Sequence, residues 1–566
     1  MMFPKFFNWD HSTSGALVPA MSCKDAKLAE KNFFDPAKAD ISEPVPQEGE
    51  YMKRAGAEIA KAILRKLDGR RPRVLIALVG KGHNGGDALI AARLILEELS
   101  KADESPRGST TIKTLTKPAT VVRLVFFANS WDDLAPLTMD AYEAFLRKVN
   151  GTPTYFVVPE SVENLDKFLT GAFAEAPDGI IIDGIFGHGF RPPLQPHVLS
   201  ALVKINELAG DFFRVAVDLP SGMSDQEYTH YAFKADLTCA LGTAKLPIFG
   251  EKNSFFVGDI ETFSLGFPLW GSEAYAVDTR KMLAKIPTAR PQNCDKRTFG
   301  HLLIVGGSRN TPGALLMNVL AALRSGVGLV SVLCPESVHA AFAARAPAAM
   351  WVACKESADG GLDATDTLKK FRELLPRIDA VLCGSGMGRT TDAQCAIRGI
   401  VAETPATIPL ALDADALFPA TISTVRRGGN TILLPHEGEF ARISEALSPA
   451  DFCKKFHITG LVLKKVRTEI FCGNKHLLTS AGSPVLARGG SGDLLAGLTG
   501  SLLAQESAFL KTLSPDDDKS ADALAATLAQ AVCWHGAASR ELEAAQGANC
   551  ADISALPEFF ADALRP

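Results

Sequence analysis

Three stretches in the first half of the chain combine glycine with residue types that do chemistry: "GKGHNGGDA" (80–88), "IDGIFGHGFRPP" (182–193) and "VDLPSG" (217–222). Each follows or ends an apolar run of strand length. A glycine-rich turn entering a helix presents unpaired backbone N–H groups at the positive end of the helix dipole, so it can hold phosphate. Asn84, Asp183, Asp218 and Ser221 add oxygen atoms that suit a hard cation, and carboxylates able to act as general acid or base. The first loop is neither a Walker loop nor a GxGxxG turn, and alone it says little. A single Asp or Ser at a strand end more often caps the next helix than catalyses, and His83 and His188 read equally as polar loop residues. The weight lies in three such loops at successive strand ends, because open parallel sheets bind ligands beyond the carboxyl ends of their strands.

In the second half, "RGGSGDLLAG" (488–497) sets three glycines before Asp493 where a helix begins. Backbone N–H groups there can surround a transferring phosphoryl group. Asp493 can accept the proton of a substrate hydroxyl as its oxygen attacks phosphorus. The plainer alternative is an Asp that only caps the helix.

The elements that must position these loops are visible as apolar runs alternating with helix-period segments, the pattern of α/β layers around a mostly parallel sheet. "VLIALVG", "TVVRLVFF", "TYFVV", "GIIIDGIF" and "FRVAVDLPSG" are the strand candidates of the first half, several of them apolar nearly throughout, as strands buried on both faces are. A second series runs through "HLLIVGG", "GLVSVL", "AVLCGSGMG", "PLALDADAL", "TILLPHEGEF" and "GLVLKKVRTEIFC". Between them, 269–297 has prolines, charges and no sustained period, and reads as a join between domains 1–268 and 298–566. The acidic stretch 514–523 reads as a solvated loop, and "ALAATLAQAVCWHGAA" (523–538) as core or subunit contact.

Composition bounds the rest. A chain of 566 residues with 47 % apolar content exceeds what one core serves. Net charge is -5 with no polybasic block, which argues against nucleic acid or a membrane surface as the main partner. Eleven cysteines without a CxxC pair fit reduced thiols. Asn8, Asp10 and His11 interrupt the apolar N-terminus, and no uninterrupted apolar run reaches about 18 residues, so a cytoplasmic location is expected.

The first-half motifs "HNGGDA", "DGIFGHG" and "VDLPSG", with "YMKRAG" upstream and "ADLTCALGTAKLP" downstream, resemble the NAD(P)H-hydrate epimerase domain over roughly 20–265. The resemblance implies a potassium ion held by Asn84, Asp183 and Ser221. It places the hydrated nicotinamide nucleotide along His83, Asn84, Gly85, Gly86 and Asp87, along Gly187, His188, Gly189, Phe190, Arg191, Pro192 and Pro193, and at a catalytic Asp218. His83 and Ala88 depart from the family's usual Asn and Gly; Ala88 reads as the first residue of the helix.

In the second half, "GHLLIVGGSRNTPGALLMNVLAALRSGVGLVSV", "GSGMG", "LDADAL", "LPHEGEF", "LVLKKVRT" and "LARGGSGDLLAG" are similar, in order, to motifs of the ADP/ATP-dependent NAD(P)H-hydrate dehydratases over roughly 275–560. That likeness implies that Ala314, Gly386, His436 and Asp493 contact the hydrated nucleotide, with Asp493 catalytic. Lys464, Lys465, Val466, Arg467, Thr468 and Gly492 would hold ADP or AMP. Ser385, Leu434 and Lys465 replace the family's Pro, Thr and Gly.

Together these resemblances imply a Rossmann-like three-layer α/β/α domain followed by a ribokinase-like α/β domain. They imply a bifunctional repair enzyme that epimerises the R and S forms of NAD(P)HX and dehydrates (6S)-NAD(P)HX to NAD(P)H, with ADP and Mg2+, giving AMP and phosphate. Its ligands would be NADHX, NADPHX and ADP, and its expected assembly a homo-oligomer. A ribokinase-like kinase of the hydroxymethyl-pyrimidine or thiazole type, with a non-catalytic N-terminal binding domain, is the alternative.

Overall fold

The computed structural model describes residues 10–35, 46–104, 120–128, 131–148, 154–157, 167, 170–171, 178–208, 210, 212–226, 228–268, 272–425, 428–510 and 518–565. They form two compact units, residues 18–276 and residues 277–565 together with 10–17.

In the first unit, β1 (Leu17–Met21) pairs in parallel with β8 (Ala244–Lys245). The main sheet is built from β2 (Val74–Gly80), β3 (Val121–Phe127), β4 (Thr154–Val157), β5 (Gly179–Gly184), β6 (Phe213–Val217), β7 (Leu237–Leu241) and β9 (Asp259–Phe263). Their spatial order is β4-β3-β2-β5-β6-β7-β9, all parallel. This is the doubly wound order, which reverses between β2 and β5. β2 is buried along its whole length, and its residues alternate between two cores. Leu75, Ala77 and Val79 pack with the helices Glu48–Leu67, His83–Glu104 and Pro136–Lys148, and Val74, Ile76 and Leu78 with the helix Pro196–Leu208. The result is three layers.

The helix after β2 begins at His83, so Ala88 lies in its second turn rather than at its start. Close packing at the first turn is the reason. A Cβ on Gly85 would sit 2.1 Å from the Gly80 carbonyl oxygen, and one on Gly86 would sit 2.7 Å from Met52 Sδ. Ala88 is fully buried where Gly184 of β5 passes: a Cβ on Gly184 would lie 2.7 Å from that of Ala88. Alanine is accommodated because the facing residue is glycine.

The stretch 269–297 is not wholly irregular. It holds β10 (Ala274–Val277) and a short helix, Thr279–Leu283, whose N-cap Asp278 accepts from Lys281 N. Elements of four or five residues carry too little periodicity to be read from sequence. Residues 10–17 also group with the C-terminal unit rather than with the N-terminal one.

The second unit contains β11 (His301–Val305), β12 (Leu329–Pro335), β13 (Met350–Cys354), β14 (Ala380–Cys383), β15 (Leu410–Leu412), β16 (Thr431–Leu433) and β17 (Gly460–Leu463), parallel in the order β13-β12-β11-β14-β15-β16-β17. β18 (Glu469–Cys472) and β19 (Lys475–Leu478) continue it antiparallel. The order reverses again, between β11 and β14. Leu303, Val305, Val381 and Cys383 face one core, while Leu302 and Leu382 meet the helix Ser491–Leu510 at Gly500. Asp518–Ala523 does not belong to a solvated loop; it opens a helix running to Gln546, while 514–517 lie outside the described residues. Most of "ALAATLAQAVCWHGAA" is buried in that helix, with Leu528 against Gly460 of β17. Among the described residues no helix is long and apolar enough to cross a membrane.

The helices Pro312–Arg324 and Ser491–Leu510 touch at Gly497, where a Cβ would stand 2.2 Å from the Asn318 carbonyl oxygen. Gly497→Ala is therefore expected to destabilise the protein by about 1–3 kcal/mol through overpacking, read as a lower urea midpoint by circular dichroism.

Candidate active sites

At the β2/β5 switch point three polar loops are tied together. Asn84, in the first turn of the helix after β2, donates through Nδ2 to the carbonyl oxygens of Phe186 (3.0 Å) and Val217 (2.8 Å). Asp183, the penultimate residue of β5, is fully buried. Its Oδ1 accepts from Ser221 Oγ at 2.6 Å and its Oδ2 from Ser221 N at 2.8 Å, and Ser221 Oγ accepts in turn from Phe186 N at 2.9 Å. Burial pushes the Asp183 carboxyl up to about 6 in spite of these bonds. Asn84, Asp183 and Ser221 thus present amide, carboxylate and hydroxyl oxygens and no nitrogen or sulfur ligand. A buried carboxylate bonded to neutral donors, Ser221 and Ile185 N, suits a hard cation of low charge. Among the described residues no group of three His, Cys, Asp or Glu forms a different kind of metal centre.

Beyond these loops opens a cavity of about 430 Å³. Asp218, in the left-handed region at φ 69°, lines it. Its Oδ1 accepts from Lys245 Nζ at 2.5 Å, and His188 Nδ1 lies 3.3 Å from its Oδ2. Lys245, 1 % exposed, also donates to the carbonyls of Leu241 (3.1 Å) and Thr243 (2.9 Å). Glu30, on the helix Cys23–Phe33, approaches His188 Nε2 at 3.4 Å and Lys245 Nζ at 3.7 Å. Burial alone would raise the Asp218 carboxyl; the Lys245 ammonium and His188 outweigh it and hold the group below its ordinary range. Asp87, also on the cavity wall, is buried, and burial, Asp218 and Glu30 push it well above the ordinary range against the opposing charge of Lys245. Tyr51 stacks on Phe267 at 5.1 Å, with Phe34 edge-on to both, so one wall is aromatic and fits a flat ring. His83 is on the rim, 3.3 Å from Glu48 Oε1. Of the loop 187–193 only His188 lines the cavity; Phe190 packs on Phe186, and Gly187 sits against the Asn84 amide.

The β11/β14 switch point of the second unit gathers a different set. Gly307 N donates to the Ser385 carbonyl at 2.8 Å. Gly386, at φ 67°, abuts Ala314: a Cβ there would lie 3.2 Å from Ala314 Cβ and 2.4 Å from the Thr311 oxygen, which only glycine tolerates. Asp493 is the third residue of the helix Ser491–Leu510, and its carbonyl accepts from Asn318 Nδ2 at 2.7 Å. Burial, then the charge of Asp413, push its carboxyl up to about 6, opposed by the Ser385 hydroxyl and Lys464. Lys464, just past β17, donates to Asp413 Oδ1 at 2.7 Å, and a Cβ on Gly492 would lie 3.3 Å from its Nζ. His436 caps the helix Glu437–Ile443, Nδ1 accepting from Gly438 N and Glu439 N, while Glu439 accepts from His436 N. Nδ1 is therefore an acceptor, and Nε2 lies 3.6 Å from Glu439 Oε1 on the exposed side of the ring. Lys465 donates to Glu469 at 2.8 Å, so its long side chain turns toward β18. Val466, Arg467 and Thr468 form the turn between β17 and β18, with Val466 exposed.

Lys245, Glu30 and Asp413 were not singled out from sequence. A lone lysine in the apolar run "LTCALGTAKLPIF" and the aspartates of "LDADAL" were available signals. Glu30 lies on an ordinary amphipathic helix and carried none.

Two doubly wound sheets, each with charged and glycine-rich loops converging where its strand order reverses, define a two-site α/β enzyme of nucleotide-type ligands. Residues 302–557 match the NAD(P)H-hydrate dehydratase family, and residues 48–104 and 114–246 match the YjeF-related protein N-terminus. The bifunctional NAD(P)H-hydrate repair enzyme Nnr of Gloeobacter violaceus is 31 % identical, covering 80 % of this chain and 84 % of its own. That of Thermosynechococcus vestitus is 32 % identical over 83 % and 84 %. Among solved structures, the ADP/ATP-dependent NAD(P)H-hydrate dehydratase from Bacillus subtilis, co-crystallised with ATP/Mg2+, is 24 % identical, covers 50 % of this chain and 95 % of its own, and gives a TM-score of 0.40. The chain belongs to the family of bifunctional NAD(P)H-hydrate repair enzymes, with epimerase and dehydratase activities. The small-molecule kinase alternative is set aside by this membership.

The buried Lys245–Asp218 pair gives a direct test. Lys245→Met leaves a buried carboxylate uncompensated and is expected to cost about 3–5 kcal/mol, while Lys245→Met with Asp218→Asn recovers most of it in a double-mutant cycle of urea unfolding. Because the folded pKa of Asp218 is depressed, its contribution is present above the unfolded value of about 3.9 and is lost on further acidification.

Proposed function

We propose that the second unit uses ADP as phosphoryl donor and that Asp493 is the base that starts the reaction. The hydroxyl on C6 of the hydrated nicotinamide ring attacks the β-phosphorus of ADP, Asp493 takes its proton, and AMP leaves. Hydroxide is a poor leaving group and phosphate a good one. The C6–O bond then breaks with its electron pair going to phosphate, C5 gives up a proton to solvent, and the C5–H pair forms the C5–C6 double bond of NAD(P)H. Ala314, Gly386 and His436 hold the hydrated nucleotide in this reading, and Lys464 to Thr468 with Gly492 hold the adenine nucleotide. Mg2+ would accompany ADP and would supply positive charge against the transferring group. The single observation that carries the reading is Asp493 itself. It is a carboxyl at a glycine-rich helix N-terminus, beside a lysine, with its pKa raised to about 6, where a base works near neutrality. ADP is preferred as donor because the two units are fused in one chain, as in the bifunctional relatives.

In the first unit, epimerisation proceeds by acid-assisted loss of the C6 hydroxyl as water and its return to the other face. The ring nitrogen lone pair stabilises the cation between the two steps. Asp218, kept ionised by Lys245 and His188, takes the proton of the returning water. Asn84, Asp183 and Ser221 would hold K+, which supplies positive charge beside the loops that carry the substrate's phosphates. Support comes from their all-oxygen donor set and from the cation-free burial of Asp183.

The test mixes the protein with both epimers of hydrated NADH, ADP, Mg2+ and K+, and follows recovery of reduced-nicotinamide absorbance. Complete recovery with release of free phosphate is expected, and replacing ADP by ATP should slow it. Asp218→Ala is expected to stall near half, and Asp493→Asn to recover nothing. The pH profile of the dehydratase step should fall on the acid side with an apparent pKa of about 6. Ser385→Ala is expected to move that limb up and Asp413→Asn to move it down, because the hydroxyl lowers and the carboxylate raises the Asp493 pKa. An acid limb unmoved by either variant assigns it to another group.

A further inference from the structure

Epimerisation by loss and return of a hydroxyl needs two proton carriers with opposite duties. Hydroxide does not leave carbon readily, so an acid must protonate it, and the returning water must give a proton to a base. Asp218 is suited only to the second duty, because Lys245 donates to Oδ1 and His188 flanks Oδ2. The cavity has a second buried carboxyl in the opposite situation. Asp87 is 8 % exposed, lines the same cavity, and its Oδ1 is buried with no hydrogen-bond partner. A buried carboxyl oxygen without a partner is costly unless the carboxyl is neutral or has a functional role.

Its position on the scaffold is equally specific. Asp87 belongs to the helix that leaves β2, and Asp218 follows β6. β5 lies between those strands, so the two residues reach the one cavity from different strand ends.

We propose that Asp87 is the proton donor to the C6 hydroxyl in the epimerase reaction. Its neutral carboxyl gives a proton to the hydroxyl oxygen as the C6–O bond breaks, and water departs with that bond's electron pair. The ring nitrogen lone pair fills the vacancy at C6. Water adds to C6 from the other face and passes one proton to Asp218. A proton then returns from Asp218 to Asp87 through solvent, and the enzyme is restored with no oxidant, reductant or further co-reactant.

The charged surroundings agree with this assignment. Asp218 and Glu30 face Asp87 with negative charge, and they act with burial to keep it protonated; Lys245 opposes them but is committed to Asp218. Lys27 and Lys31 share the helix of Glu30, Glu48 and His83 pair with each other on the rim, and His188 is held between Asp218 and Glu30. Two carboxyls in one cavity with pKa values driven apart are the usual mark of an acid and base pair.

The inference rests on the loss-and-return reading, and the experiment separates the two. Full-length protein is incubated with (6R)-NADHX and no ADP in water enriched in oxygen-18, and the epimers are separated and weighed by mass spectrometry. Label entering the C6 hydroxyl at the rate of epimerisation is expected; epimerisation without label overturns loss and return, and this proposal with it. Given label, Asp87→Asn is expected to lower kcat about 100-fold or more with KM within threefold, and Asp87→Glu to restore part of it. The wild-type rate should fall on the alkaline side as Asp87 loses its proton, and that limb should be absent from the residual activity of Asp87→Asn. Retained kcat in a folded Asp87→Asn protein, or an alkaline limb identical in both proteins, overturns the role of Asp87 while leaving loss and return in place.

Discussion

A parallel sheet whose strand order reverses cannot be covered completely at the point of reversal. Neighbouring strands there send their connections to opposite faces, and a crevice remains beyond their carboxyl ends. Both units of this chain obey that constraint. In the first, β2 and β5 part and leave the cavity of Asp87 and Asp218; in the second, β11 and β14 part and leave room where Gly386 meets Ala314. The candidate site residues of both units are arranged on these two edges.

What the crevice can do depends on how charge is held in it. Desolvation penalises every buried carboxylate, and the structure answers it differently at each position. Asp218 receives an ammonium and stays ionised, Asp183 receives neutral donors and rises to about 6, and Asp87 receives nothing at Oδ1 and is raised well above its ordinary range. Asp493 is intermediate, raised by burial and Asp413 and restrained by Ser385 and Lys464. The same side chain is thereby held at different protonation tendencies by its neighbours alone, which is what the proposed roles of base, cation ligand and acid require.

The two activities share a substrate, and the proposed chemistries use opposite logic. In that reading one site makes and unmakes the C6–O bond without changing what leaves, and the other changes the leaving group so that the ring returns to its reduced form. A dehydratase that takes one epimer is limited to half of a racemic pool unless an epimerase feeds it, so placing both on one chain has a chemical reason independent of how the units are arranged.

Much of this is legible in the sequence. The strand runs of β2, β3, β5, β6, β11 and β14 are apolar enough to announce parallel sheet, and Asn84, Asp183, Ser221 and Asp493 sit in local patterns of glycine and polar residues. Such signals are short in sequence because a strand end and the following turn are contiguous in the chain. Less legible were short elements such as Ala274–Val277, the true start of the helix at His83, and the helical character of Asp518–Ala523. Lys245, Glu30 and Asp413 escaped as well, because each acts on a carboxylate brought from a distant segment. The sequence determined which groups exist and which strand ends they occupy, since hydrophobic period and turn chemistry are local. Only the tertiary structure decided which carboxylate meets a lysine and which meets nothing, because burial and charge pairing are properties of side chains that the fold alone makes neighbours.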